Sequence, residues 1–170
     1  ALAAASVIYS NNFTPMDDRL FSGIGFAKWP GRVQFINKGK LLKYRGARPI
    51  WIDGAHNSHS ATALAASLAK ITDEKWTLIA GMLETRKPDD IFLPLKNLIS
   101  ETFTITIPDQ VASLSAQELS EGCQGLGIKA TAKSSLIEAL SDTSKSEFVV
   151  ICGSLYLAGH ALLLNGTLPE

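Results

Sequence analysis

Residues 49–69, "PIWIDGAHNSHSATALAASLA", decide how the chain is read. An apolar run (Ile50, Trp51, Ile52) ends in an acid, Asp53, crosses Gly54-Ala55-His56-Asn57 and enters an Ala-rich stretch at Ser58. β-Branched and aromatic side chains suit a pleated, buried strand. Gly54 lets the backbone turn sharply or approach a ligand closely. Asn57 or Ser58 can accept from the free N–H groups that open a helix. The stretch therefore reads as strand, loop and helix, the first half of a βαβ unit.

Outward from it the same alternation continues. Strands are predicted at "PIWID", "WTLIAGM", "TFTITI", "IKATA" and "FVVICG", and helices around 59–71, 89–100, 115–123, 134–142 and 155–164. Strands alternating with helices of this length imply an α/β fold with right-handed crossovers and a mainly parallel sheet. "WTLIAGM" and "FVVICG" are apolar throughout, as strands covered on both faces should be. Upstream, Pro30-Gly31 in "KWPGR" interrupts any regular element. "RVQFINKGKLLKYR" (32–45) then reads as an N-terminal β-hairpin turning at "NKGK", with Gly39 free to take a positive φ. Residues 1 to about 28 read as one or two short helices with a loop at "SNNFTPMDD".

With 170 residues, 46% of them hydrophobic, the chain has enough apolar content for a real core. Sixteen basic and sixteen acidic residues cancel. No global field attracts nucleic acid or an anionic membrane, so any anion must be held by a local arrangement. No apolar stretch reaches the roughly 18 residues that span a bilayer. Cys123 and Cys152 lack metal-ligand spacing, and Cys152, inside "FVVICG", is expected to be a buried thiol. These features predict a protein of the reducing cytoplasm with no nucleic-acid or membrane partner; a monomer is expected. "ALAAASVIYSNN" begins without Met and reads as the interior of a helix, so a longer protein cut before residue 1 is expected.

In an open parallel sheet, ligands collect at the carboxyl ends of the strands. Asp53 is expected at such an end with its carboxylate pointing outward, able to accept from ribose hydroxyls or to fix a cationic neighbour. His56, on the loop beside the free N–H groups of a helix start, can donate to a phosphate or a carboxylate. His56 and His59 in "HNSH" have no third ligand nearby, and no metal site is assigned. "VVICGSLYLAG" repeats the logic: Ser154 follows an apolar strand and can cap the closing helix or hold a carboxylate there. Tyr156 and His160 are expected to pack.

"WPGRVQ", "IWIDGAHN" and "VVICGSLYLAG", in that order and spacing, resemble the folylpolyglutamate synthase and dihydrofolate synthase family of the Mur ligase superfamily. The resemblance implies a ligase that joins L-glutamate to a folate or dihydropteroate carboxylate through an acyl phosphate, using ATP and Mg2+. It implies a Rossmann-like C-terminal domain over residues 29–170, preceded by the end of a central ATPase domain over 1–28. Arg32, Asp53 and His56 then match family positions: Arg32 on a nucleotide phosphate, Asp53 on the nucleotide, and His56 as a catalytic group facing phosphate or glutamate. Ser154 takes a glutamate-side role. The chain contains no G-x-x-x-x-G-K-[ST] loop, so phosphate cradling and most metal ligands are expected in the part that precedes it. Arg86-Lys87 stands where the family usually shows a Lys-Asp pair, and neither residue is assigned to the site. Another Mur-type ligase, or a non-catalytic Rossmann-like binding module, are the competing readings.

Overall fold

The computed structural model of the chain describes residues 30–143 and 146–167. The helices expected over residues 1 to 28 lie outside them. The chain divides into two compact units, Ala1–Pro30 and Gly31–Glu170, and the whole sheet belongs to the second. Its strands are β1 (Gln34–Ile36), β2 (Ile50–Ile52), β3 (Trp76–Ala80), β4 (Ile99–Ile105), β5 (Ala130–Lys133) and β6 (Val149–Cys152). The α-helices that follow β2 to β6 in turn are α1 (Ser58–Leu68), α2 (Pro88–Leu95), α3 (Ala116–Gly125), α4 (Leu136–Asp142) and α5 (Leu155–Asn165).

The strand order is β1-β2-β6-β3-β4-β5. β1 runs antiparallel to β2, and every other pairing is parallel. The predicted α/β class with a mainly parallel sheet is what forms. After β5 the chain returns to insert β6 between β2 and β3, so the crevice where the winding direction reverses lies at the carboxyl ends of these three strands.

Period-two alternation builds two cores from one sheet. Trp51, Leu78, Ala80, Val150 and Cys152 face α1, α2 and α3, meeting Leu64, Leu68, Ile91, Phe92 and Leu119. Ile50, Ile52, Ile79, Val149 and Ile151 face the other way, onto α4, α5 and the segment Leu41–Leu42. Every residue of β3 and β6 is buried, which accounts for an apolar sequence broken only by Thr77. Cys152 is fully buried, as expected, and burial pushes its thiol pKa up; neither cysteine is in a disulfide.

The hairpin expected over residues 32–45 is not the one that forms. Its second arm is a 3-10 helix, Lys40–Arg45, and β1 pairs instead with β2, Gln34 opposite Ile52 and Ile36 opposite Ile50. The buried positions of that arm are Leu41, Leu42 and Arg45, a helical rather than an alternating spacing. Gly39 does take the positive φ expected of it, 121°, but it caps this helix. Asn165, distant in sequence, closes the corner: its Oδ1 accepts from the Leu41 N–H at 3.1 Å, and its Nδ2 donates to the Lys38 carbonyl at 2.9 Å.

Candidate active site at the carboxyl edge of the sheet

β2 and β6 are hydrogen-bonded beyond their ends. The Asp53 N–H donates to the Ile151 carbonyl, and the Gly153 N–H to the Ala55 carbonyl, both at 2.9 Å. The corner at residues 53–57 and the turn at 153–154 therefore leave the sheet side by side on one edge. Side chains are excluded from this junction. Gly153 has φ 108°, and a Cβ there would fall 2.7 Å from the Gly81 carbonyl oxygen. At Gly54 a Cβ would meet the Leu155 side chain at 2.2 Å.

The Asp53 carboxylate does not point out of the sheet end. It is only 4% exposed, and it turns back onto backbone. Its Oδ2 accepts from the Val33 N–H and its Oδ1 from the Ala55 N–H, both at 2.7 Å. Burial raises its pKa above the ordinary Asp value, and the two backbone bonds and the charges of Arg32 and His56 oppose that rise. Arg32 itself is exposed, within a turn in which Gly31 has φ 70° and Val33 has φ 43°.

His56 is half-buried on the loop. Its Nδ1 lies 2.9 Å from the Gly54 carbonyl oxygen. A carbonyl only accepts, so Nδ1 carries a proton, and Nε2 is the ring nitrogen left to face away from this bond. Asn57 caps α1 in a reciprocal capping box with Ser60. Ser154 caps α5: its Oγ accepts from the Tyr156 N–H at 3.1 Å, and the residue is buried. The capping function predicted as one possibility for Ser154 is thus present.

A cleft of about 200 Å3 opens here, lined by His56, Thr85, Arg86, Ser154 and Tyr156 with neighbouring Leu83, Gly153 and Leu155. It brings His56 and Ser154 together; Arg32 and Asp53 do not line it, and the Asp53 carboxylate is bonded to the amide of Val33, the residue after Arg32. Six of the eight lining residues went unassigned in the sequence reading, Tyr156 and Arg86 among them. Tyr156, expected to pack, is 55% exposed at the cleft, because the first turn of α5 projects past the sheet end. Arg86 reaches the cleft from the loop after β3, whose carboxyl end adjoins that of β6. Strand-end position was the signal available for it. Among the described residues no group of three or more His, Cys, Asp or Glu side chains could hold a metal ion. Nor, among them, is any helix long and apolar enough to cross a membrane.

Comparison with known proteins shows what this chain is similar to. The folylpolyglutamate synthase of Lacticaseibacillus casei is 28% identical over 158 residues, covering 90% of this chain and 33% of that protein. The crystal structure of Mycobacterium tuberculosis folylpolyglutamate synthase complexed with ADP and AMPPCP superposes with a TM-score of 0.79 at 24% identity, covering 99% of this chain and 39% of that one. The bifunctional folylpolyglutamate synthase/dihydrofolate synthase of Yersinia pestis, complexed with AMPPNP and Mn, gives 0.76 at 22% identity, covering 94% and 37%. The chain thus spans a third or less of the curated relatives it matches. Residues 42–164 match the family model described as the C-terminal domain of dihydrofolate synthetase. The chain belongs to this family of dihydrofolate synthetase C-terminal domains.

Proposed function

We propose that this chain is the C-terminal domain of an ATP-dependent ligase that adds L-glutamate to folate, to dihydropteroate, or to both. In the reaction, a carboxylate oxygen of the acceptor attacks the γ-phosphorus of ATP and ADP leaves. The glutamate amine then attacks the acyl carbon, gives up a proton, and phosphate departs as the C–O bond breaks. The observation that carries the reading is the shared edge: β2 and β6 deliver the Asp53–Asn57 corner and Ser154 together, with the Arg32 turn bonded to that corner.

Each residue has a part that suits its chemistry. Arg32, always charged and forked, meets nucleotide phosphate. Asp53 serves the nucleotide side. His56, with Nδ1 held by the Gly54 carbonyl, offers Nε2 to take the proton of the attacking amine or, once protonated, to donate to phosphate or carboxylate. Ser154, at the N-terminus of α5, marks the glutamate side, where free N–H groups favour a carboxylate. Mg2+ assists the ATP step, and its ligands are assigned to the rest of the ligase, because the described residues hold no metal cluster and the chain has no phosphate-cradling Gly-Lys loop. The buried free thiols suit the reducing cytoplasm, where the ligase is proposed to act as a monomer.

The test compares the purified 170-residue chain with the full-length gene product, each supplied with ATP, Mg2+, glutamate and either reduced folate or dihydropteroate. Glutamylated product from the full-length protein alone is expected. Turnover by the short chain, or none by the long one, overturns the proposal.

A further inference from the structure

Resting on the glutamate-side reading of the cleft that His56 and Ser154 share, we infer that Ser113 is a positioning residue. Its hydroxyl makes a brace of the loop that follows β4, and the brace fixes the cleft wall that carries Leu83, Thr85 and Arg86. Among the described residues, the hydrogen bonds that tie residues 82–86 to a distant part of the chain all end on residues 112–114. The Leu114 N–H donates to the Met82 carbonyl at 2.9 Å, and the Glu84 N–H to the Ala112 carbonyl at 2.8 Å. Between them Leu83 pairs with Ser113 in an isolated antiparallel bridge. The two segments thus form a short ribbon past the end of β3, and it ends immediately before Thr85 and Arg86.

The bracing loop has little apolar anchorage of its own. Between Ile107 and Leu119, Ser113 is the only buried residue, and Pro108, Asp109, Val111 and Ala112 are exposed. A loop with so few buried contacts opens easily unless hydrogen bonds close it. The Ser113 hydroxyl supplies that closure. Its Oγ accepts from the Ile107 N–H at 2.8 Å, at the foot of the loop, and donates to the Leu114 carbonyl at 2.9 Å, with the Met82 carbonyl next nearest at 3.4 Å. A hydroxyl both donates and accepts, so one small side chain joins the two arms. The Ser113 N–H also donates to the Gln110 carbonyl at 3.0 Å, which closes the turn on the same residue. Without the hydroxyl the buried Ile107 N–H loses its acceptor, and the loop must open to water to satisfy it. The ribbon then loses its backing, and the wall its fixed distance from His56 and Ser154. Ser113 does not itself line the cleft, so its effect reaches a reactant only through that wall.

The experiment compares two variants of the full-length protein. Ser113→Ala removes the brace; Thr104→Val removes a nearby buried hydroxyl that donates to the Ala116 carbonyl at 2.7 Å and not to the ribbon. In steady-state kinetics Ser113→Ala should raise the KM for glutamate about fivefold and leave kcat and the KM for ATP within about twofold, as the loss of one hydrogen bond allows. Thr104→Val should leave all three within about twofold. An unmoved glutamate KM, an equal rise in the ATP KM, a fall in kcat instead, or an equal effect of Thr104→Val overturns the inference. Amide hydrogen exchange on the same proteins reads the brace directly. Residues 84, 107 and 114 should exchange about fivefold faster in Ser113→Ala while β3 and β6 keep their protection. Unchanged exchange at these residues overturns the inference whatever the kinetics. Should Ser113→Ala fail to fold, Ser113→Cys keeps the shape, puts a weak donor and acceptor in place of the hydroxyl, and is read by the same outcomes. Wild-type protein that forms no glutamylated product defeats the proposed function instead, and the exchange result then decides whether Ser113 braces the wall.

Discussion

The two ends of the parallel sheet each use a buried charge to staple backbone, and they put it to different ends. At the amino-terminal edge the fully buried Arg45 donates to the Pro49, Ser146 and Glu147 carbonyls, just ahead of β2 and β6, and to Thr143 Oγ1. At the carboxyl edge Asp53 accepts from the amides of Val33 and Ala55. The Arg45 staple joins the 3-10 helix to the segments entering the sheet. The Asp53 staple leaves an exposed cation, Arg32, beside a cleft. A buried charge is therefore no sign of function by itself; what matters is which neighbour it immobilises and whether that neighbour faces solvent.

The comparison breaks first at Arg32. In the full-length protein, Arg32→Ala should lower the glutamylation rate by about 10²–10³, the usual cost of one charged donor at a developing phosphate charge. Lys38→Ala, at the other end of the sheet, should leave the rate within about twofold, because its exposed side chain lies away from the site. Steady-state kinetics on both variants decides; similar small effects would return Arg32 to an ordinary surface residue.

A second measurement bears on the Arg45 end. Arg45→Met should cost about 3 kcal/mol in urea unfolding, because several buried acceptors lose a charged donor at once. Activity per folded full-length molecule should be unchanged. A loss of activity that outruns the loss of folded protein would show that the two ends are coupled.

The smallest effect concerns pH. Asp53 has a folded pKa raised mainly by burial above the ordinary 3.8. The folded state therefore binds this proton more tightly than the unfolded chain does. Its contribution to stability is fully present below pH 3.8 and is lost as pH rises through the folded value. The unfolding free energy of wild type relative to Asp53→Asn should accordingly fall as pH rises above 3.8. Chemical denaturation at several pH values reads it, and a difference that grows with pH would reverse the assigned sign.

Most of the architecture was legible because it is written in local patterns. The continuous apolar runs of β3 and β6 and the strand-to-helix corner after β2 need only side-chain chemistry to be read. The edge shared by Asp53 and Ser154 followed from strand direction alone, since parallel strands deliver their carboxyl ends together. The segment 40–45 was misread because Leu41, Leu42 and Arg45 find their partners far away in sequence: Asn165 for the backbone at Leu41, and Thr143 and Ser146 for the guanidinium. A turn held from outside carries little local signature.

By itself, then, the sequence determined the fold class, the position of the corner and the identity of the charged groups around it, because periodicity and loop chemistry act over a few residues. Only the tertiary structure decided that the Asp53 carboxylate turns inward to Val33, that β1 pairs with β2, and that Arg86 and Tyr156 share a cleft with His56 and Ser154. Those outcomes depend on which backbone amides and strand ends meet across separations of twenty to a hundred residues. Packing settles such meetings, since each buried polar group must find whichever partner the assembled sheet brings within reach.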